Sequence, residues 1–202
     1  MSVAPSDPRA ALVQTDVIWR LTVRQYHEMI QRGILTDDDP VELLQGLLVT
    51  KMPKNPPHRI ATGLVRDALQ ALLPPGWYVD TQEPITTGDS EPEPDVAVIR
   101  GDTRQYADRH PGPGDVALVV EVADTTLERD RTSKRAVYAR ARLPVYWIVN
   151  LVDRRVEVYL DPAGDDESPD YQTRTQYGPA DDVPVTIAGQ KVGVIRCDSI
   201  MP

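Results

Sequence analysis

Two valine-rich runs, residues 116–122 and 145–149, stand on either side of a stretch, 127–142, that reads as a helix. A strand, a crossover helix and a second strand make parallel neighbours in one sheet. Three more runs, at 77–85, 95–99 and 156–160, are short, rich in valine and bounded by Gly, Pro or Asp, and read as further strands. Residues 171–177 and 183–187 are candidates for added edge strands. The expectation is an α/β fold, a central mixed sheet flanked by helices, in one domain over all 202 residues.

Before Gly76 the pattern is different. Thr22-Val23-Arg24-Gln25 fits a capping box, Leu21 with Tyr26 fits a hydrophobic staple, and Gly33 supplies a stop, so a helix is predicted over 23–32. Gln45-Gly46 between two apolar runs predicts a tight hairpin over 41–49. Asn55-Pro56-Pro57 resembles a helix start. The helix it opens carries Ile60, Leu64, Val65, Ala68, Leu69 and Leu72 at helical spacing and ends at Pro74-Pro75-Gly76. Residues 1–20, with no clear period and two prolines, read as a flexible arm.

Several classes are excluded on composition. No apolar run approaches the ~20 residues of a membrane span, and the N-terminal residues hold no apolar signal-peptide core. One cysteine, Cys197, allows no internal disulfide, which points to the cytoplasm, and one Cys with three scattered His argues against structural zinc. The net charge of −9 argues against a polyanionic partner until it is located. Residues 161–182 hold seven acids against one arginine, an acidic region whose first part, 161–170, reads as a loop. Residues 51–66 carry four cations and no acid, and residues 127–142 carry six cations against two acids. Such patches are either solvated helix faces or docking sites for a polyanion.

Two acids stand in apolar strands. Asp95 opens Val96-Ala97-Val98-Ile99, and Glu121 interrupts Ala117-Leu118-Val119-Val120-Glu121-Val122. A buried lone carboxylate costs several kcal/mol unless compensated. A divalent cation is one compensator, an arginine or exposure to solvent another. Lys134 shares a helical face with Val137, Tyr138 and Ala141 and so points toward the sheet that carries Glu121. A lysine there can stabilise charge developing on a phosphate; the bland alternative is an exposed ion pair with Asp130. His58 sits at a helix start among Lys54 and Arg59, where a phosphate contact, a general base or a surface cap are all open. Trp147 and Tyr138 read as core residues.

These residues resemble a known family. Val119-Val120-Glu121-Val122, then Asp130 and Lys134, Tyr138-Ala139, and Leu143 to Asn150, with Pro94-Asp95, Glu42 in the hairpin and Pro57-His58-Arg59, are similar to the family of putative restriction endonucleases called Uma-two, in the PD-(D/E)xK nuclease superfamily. The resemblance covers roughly residues 22–200. It implies a restriction-endonuclease-like fold and a DNA endonuclease using Mg²⁺ or Mn²⁺. Asp95 and Glu121 would hold the metal, with Glu42 completing the acidic cluster, and Lys134 would assist the attacking water. His58, Arg59 and Arg131 would contact nucleic acid, and a homodimer would serve to cut two strands. Two positions depart from the pattern. Ala123 stands where the superfamily lysine usually follows the second acid, and Asp124 adds a charge beside it. They leave open a decayed nucleic-acid-binding or regulatory protein of the same fold.

Overall fold

The computed structural model describes residues 18–164 and 168–202. Most of the arm expected over 1–20, and Asp165, Asp166 and Glu167 of the acidic region, lie outside them. Helix α1 (Val23–Gln31) starts at the capping box: the Thr22 hydroxyl accepts from Gln25 N at 3.2 Å, and Gln25 Oε1 accepts from Thr22 N at 2.9 Å. Strands β1 (Val41–Leu44) and β2 (Leu47–Thr50) form an antiparallel hairpin. Its two turn residues, Gln45 and Gly46, both have positive φ, 50° and 75°, as a tight hairpin turn of matching twist requires. A Cβ on Gly46 would also fall 2.6 Å from that of Arg20, so the chain entering α1 fixes glycine there.

Helix α2 (Pro56–Gln70) begins as predicted, with Asn55 Oδ1 accepting from His58 N at 3.0 Å and prolines in the first turn. The central sheet has six strands in the order β3 (Trp77–Asp80), β4 (Val96–Arg100), β5 (Val116–Ala123), β6 (Val145–Asn150), β7 (Arg155–Ala163) and β8 (Asp170–Tyr177). Only β5 and β6 are parallel, joined by the crossover of α3 (Leu127–Arg129), a π turn (Asp130–Lys134) and α4 (Arg135–Arg140). Strands β9 (Asp182–Ile187) and β10 (Gln190–Arg196) make a separate antiparallel pair.

Alternation along β5 divides the core. Leu118, Val120 and Val122 pack with Ala61, Val65 and Leu69 of α2 and with Trp147, which is fully buried. Val119 and Ala123 face the other layer, with Val137, Tyr138 and Ala139 of α4 and the tyrosines Tyr146, Tyr159 and Tyr171. Glu121 lies between Val119 and Ala123, on the face that the crossover covers.

Two expectations are corrected, and one strand was not foreseen. The strand predicted over 77–85 stops at Asp80. Beyond it, Gln82 takes a left-handed φ of 61°, and Gln82 N and Ile85 N donate to the carbonyls of Pro94 and Pro92, which have no N–H to return. The stretch 161–170, expected as a loop, is strand at both of its ends, since β7 runs through Ala163 and β8 starts at Asp170. Strand β10 was not predicted; its alternation is broken at Gly193, where the pairing with β9 slips.

Candidate active site

Four elements deliver charged side chains to one small cavity of about 60 Å³, enough for a few waters or a hydrated ion. Glu42 comes from β1, Asp95 precedes β4, Glu121 lies within β5, and Lys134 ends the π turn. All four are at least nine-tenths buried. Lys134 Nζ donates to Glu42 Oε2 at 2.7 Å and lies 3.0 Å from Glu121 Oε1. The Tyr138 hydroxyl donates to the same Glu121 oxygen. Asp95 Oδ2 accepts from Val122 N at 2.9 Å and lies 3.1 Å from His58 Nε2. Glu42 Oε2 also accepts from Glu93 N at 3.2 Å.

The π turn delivers Lys134. In it Arg135 N reaches back to the carbonyl of Asp130, one residue farther than in an α-helix. That carbonyl also accepts from the Tyr146 hydroxyl at 3.0 Å, and the Asp130 carboxylate accepts from Thr126 Oγ1 at 2.6 Å. Asp130 and Lys134 are therefore both buried, and no exposed pair forms between them. Asp130 is the site residue that sequence reasoning missed as a participant. Its spacing from Lys134 is that of an ordinary helical ion pair, and with the extra residue in the turn Asp130 is buried as well as Lys134.

Four buried carboxylates surround one lysine. Burial pushes Glu121 up to about 8; Lys134 pulls it down, while Asp130, Asp95 and Glu42 push it higher. Burial likewise lifts Asp130 to about 6 against the Thr126 hydrogen bond and the charges of Lys134 and Arg129. For Lys134, burial acts downward, but the Glu121 and Glu42 carboxylates outweigh it and hold the ammonium above its ordinary value. The lysine is a charged donor and not a base.

The donor set fits a hard divalent ion. Among the described residues, Asp95 Oδ1 and Glu121 Oε2 accept no hydrogen bond, since all those to the two carboxylates end on Oδ2 and Oε1. Mg²⁺ is commonly held by one or two carboxylates, with water and phosphate supplying the rest. Among the described residues no three His, Cys, Asp or Glu side chains form a ready cage. Glu42, expected as a third ligand, reaches the site as the partner of Lys134.

The expected nucleic-acid contacts separate. His58 lies in the site on Asp95. Arg59 is exposed on α2 and lines an open groove of about 840 Å³. Lys54 and Gln82 line both that groove and the small cavity. Arg131 is placed elsewhere, its guanidinium on the carboxylate of buried Glu157 and 3.6 Å from Asp153. Asp124 accepts from Asn55 Nδ2 at 2.6 Å and thereby ties the start of α2 to the end of β5.

A family model described as "Putative restriction endonuclease", Uma2, matches residues 23–189. Among solved structures, the chain is similar to a putative nuclease belonging to DUF820 from Anabaena variabilis. They share 14% identity and a TM-score of 0.63, over 89% of this chain and 97% of that one. A second match, apo NucC of E. coli MS115-1, has 15% identity and a TM-score of 0.31 over 55% of this chain and 47% of that one. No curated protein matches. The first of the two structures shows the fold to be restriction-endonuclease-like.

Proposed function

The chain belongs to the Uma2 family, the putative restriction endonucleases, and from that premise we propose that it is a metal-dependent endonuclease hydrolysing phosphodiester bonds in DNA. Family membership supports a nuclease function. The observation that carries the finer reading is Lys134 Nζ held between Glu42 and Glu121, in the cavity that Asp95 also borders.

In this reading Asp95 and Glu121 hold Mg²⁺ or Mn²⁺. The ion, when bound, lowers the pKa of a water and offsets charge on the phosphate. Lys134, kept protonated by its two carboxylates, orients the attacking water and donates to the charge that develops on the phosphate. Tyr138 fixes the Glu121 carboxylate, while Val122 N and His58 fix that of Asp95. The attacking water gives up a proton to bulk solvent, its oxygen joins phosphorus, the bond from phosphorus to the leaving sugar oxygen breaks, and that oxygen takes up a proton from solvent. Cutting both strands of a duplex calls for two such sites, and a homodimer is part of the proposal.

Calorimetric titration with Mn²⁺ tests the assignment of the ligands. The wild type should bind the ion, and Asp95→Asn should weaken it by more than about tenfold. Equal affinity in the two proteins would remove Asp95 from the site.

A further inference from the structure

The segment 129–140 carries five cations, and four of them face carboxylates. Arg131 lies on Glu157, Lys134 on Glu42 and Glu121, Arg135 Nε 3.2 Å from Asp170, and Arg140 Nη1 3.0 Å from Asp89. Among the described residues Arg129 makes no ion pair. It nevertheless lines the same cavity as Asp95, Glu121 and Lys134. Its one hydrogen bond runs from Nη1 to the carbonyl of Thr50 at 2.9 Å, across to the end of β2. Its Nε is buried and makes none. A guanidinium has five N–H donors in a fixed fork that matches the oxygens of a phosphate. Among the described residues four of those donors have no acceptor, in a site whose carboxylates repel an anion. Lys134 shares its charge with two carboxylates, so a guanidinium at the cavity adds to what the lysine and the metal offer the phosphate.

We propose that Arg129 is the residue that grips the scissile phosphate, donating to its non-bridging oxygens while Thr50 O holds the side chain in place. The inference rests on the nuclease reading and assigns within it a residue that the sequence did not single out. The expected contact from this patch was Arg131, two positions on, and that guanidinium is occupied by Glu157. Arg129 touches substrate in this account and carries no part of the metal binding.

The test compares wild type with Arg129→Ala and Arg129→Lys on plasmid DNA with Mn²⁺. Arg129→Ala should lose about 10²–10³-fold in cleavage rate, while Mn²⁺ affinity measured without DNA stays within about twofold of wild type. Arg129→Lys, a point charge without the fork, should recover only part of the rate. Added guanidinium ion should partly restore Arg129→Ala and leave Arg129→Lys unchanged, a response that a folding defect would not produce. Cleavage by Arg129→Ala at the wild-type rate would overturn the inference and leave the nuclease reading standing. Should the wild type itself not cleave, that reading falls, and binding of a short labelled duplex decides about Arg129. Weaker binding by Arg129→Ala, with a salt slope smaller by about one, would support the phosphate contact; unchanged binding would overturn it.

Discussion

Glu121 is buried in a sheet, and that burial outweighs the pull of Lys134 and raises its carboxyl above the ordinary range, so the folded protein gives up this proton at higher pH than the unfolded chain does. Its contribution to stability is full on the acid side of the ordinary carboxylate range and is lost as pH rises toward 8. Glu121→Gln removes that loss. Thermal melts of metal-free protein should show wild type losing stability between about pH 5 and pH 8, and the variant losing less and melting higher at pH 8. A variant that melts lower at pH 8 would contradict the burial argument. The same variant should be inactive, an opposition of stability and function expected of a charged site inside a core. Glu157 shows the reverse sign. Arg131, Tyr159, Asn150 and Arg174 outweigh its burial and hold its carboxyl below the usual range, so its stabilising effect is present at neutral pH and lost on acidification. Glu157→Gln should cost about 1–3 kcal/mol in denaturant unfolding at neutral pH, and less in acid.

The π turn is the element on which the site depends. An α-helix through 127–142 would turn Lys134 and Asp130 differently relative to Tyr138. Tyr146→Phe deletes the hydroxyl that holds the Asp130 carbonyl and should cost about 1 kcal/mol; deleting Thr132 should restore α-helical register and remove Lys134 from Glu121. The deletion is expected to leave circular dichroism close to wild type and to abolish cleavage; a fully active deletion would show that the turn does not position the lysine. On the opposite layer, Leu69 of α2 is fully buried against the sheet, and Leu69→Ala should cost about 2–5 kcal/mol. The helix starts at Thr22 and Asn55, the Gln45-Gly46 turn and the parallel β5–β6 pair were all legible because each has a local chemical signature. Strand β10 was not, because Gly193 breaks its alternation, and the end of β3 was not, because it is set by a distant partner segment whose Pro92 and Pro94 have no N–H to return. The inward direction of Lys134 was legible from the apolar face it shares with Val137 and Tyr138, whereas the turn that seats it beside Glu42 depends on a tertiary contact from Tyr146.

At the scale of the whole molecule, the net charge of −9 conceals an uneven surface. The cations of 51–66 include Lys54 and Arg59, which line the groove beside the small cavity of Asp95, Glu121 and Lys134. Binding of duplex DNA should therefore weaken steeply with salt despite the acidic total, and Arg59→Ala should lower the slope by about one. Salt-independent binding would exclude phosphate contacts along this groove. Among the described residues no helix is long and apolar enough to cross a membrane. The most direct test of the account is the conversion of supercoiled plasmid by wild type, Asp95→Asn and Glu121→Gln, with and without Mn²⁺. Wild type should give nicked and linear products only when the ion is present, and both variants should cut at least about 10²-fold more slowly. Cleavage that is indifferent to the ion, or undiminished in either variant, would contradict the account.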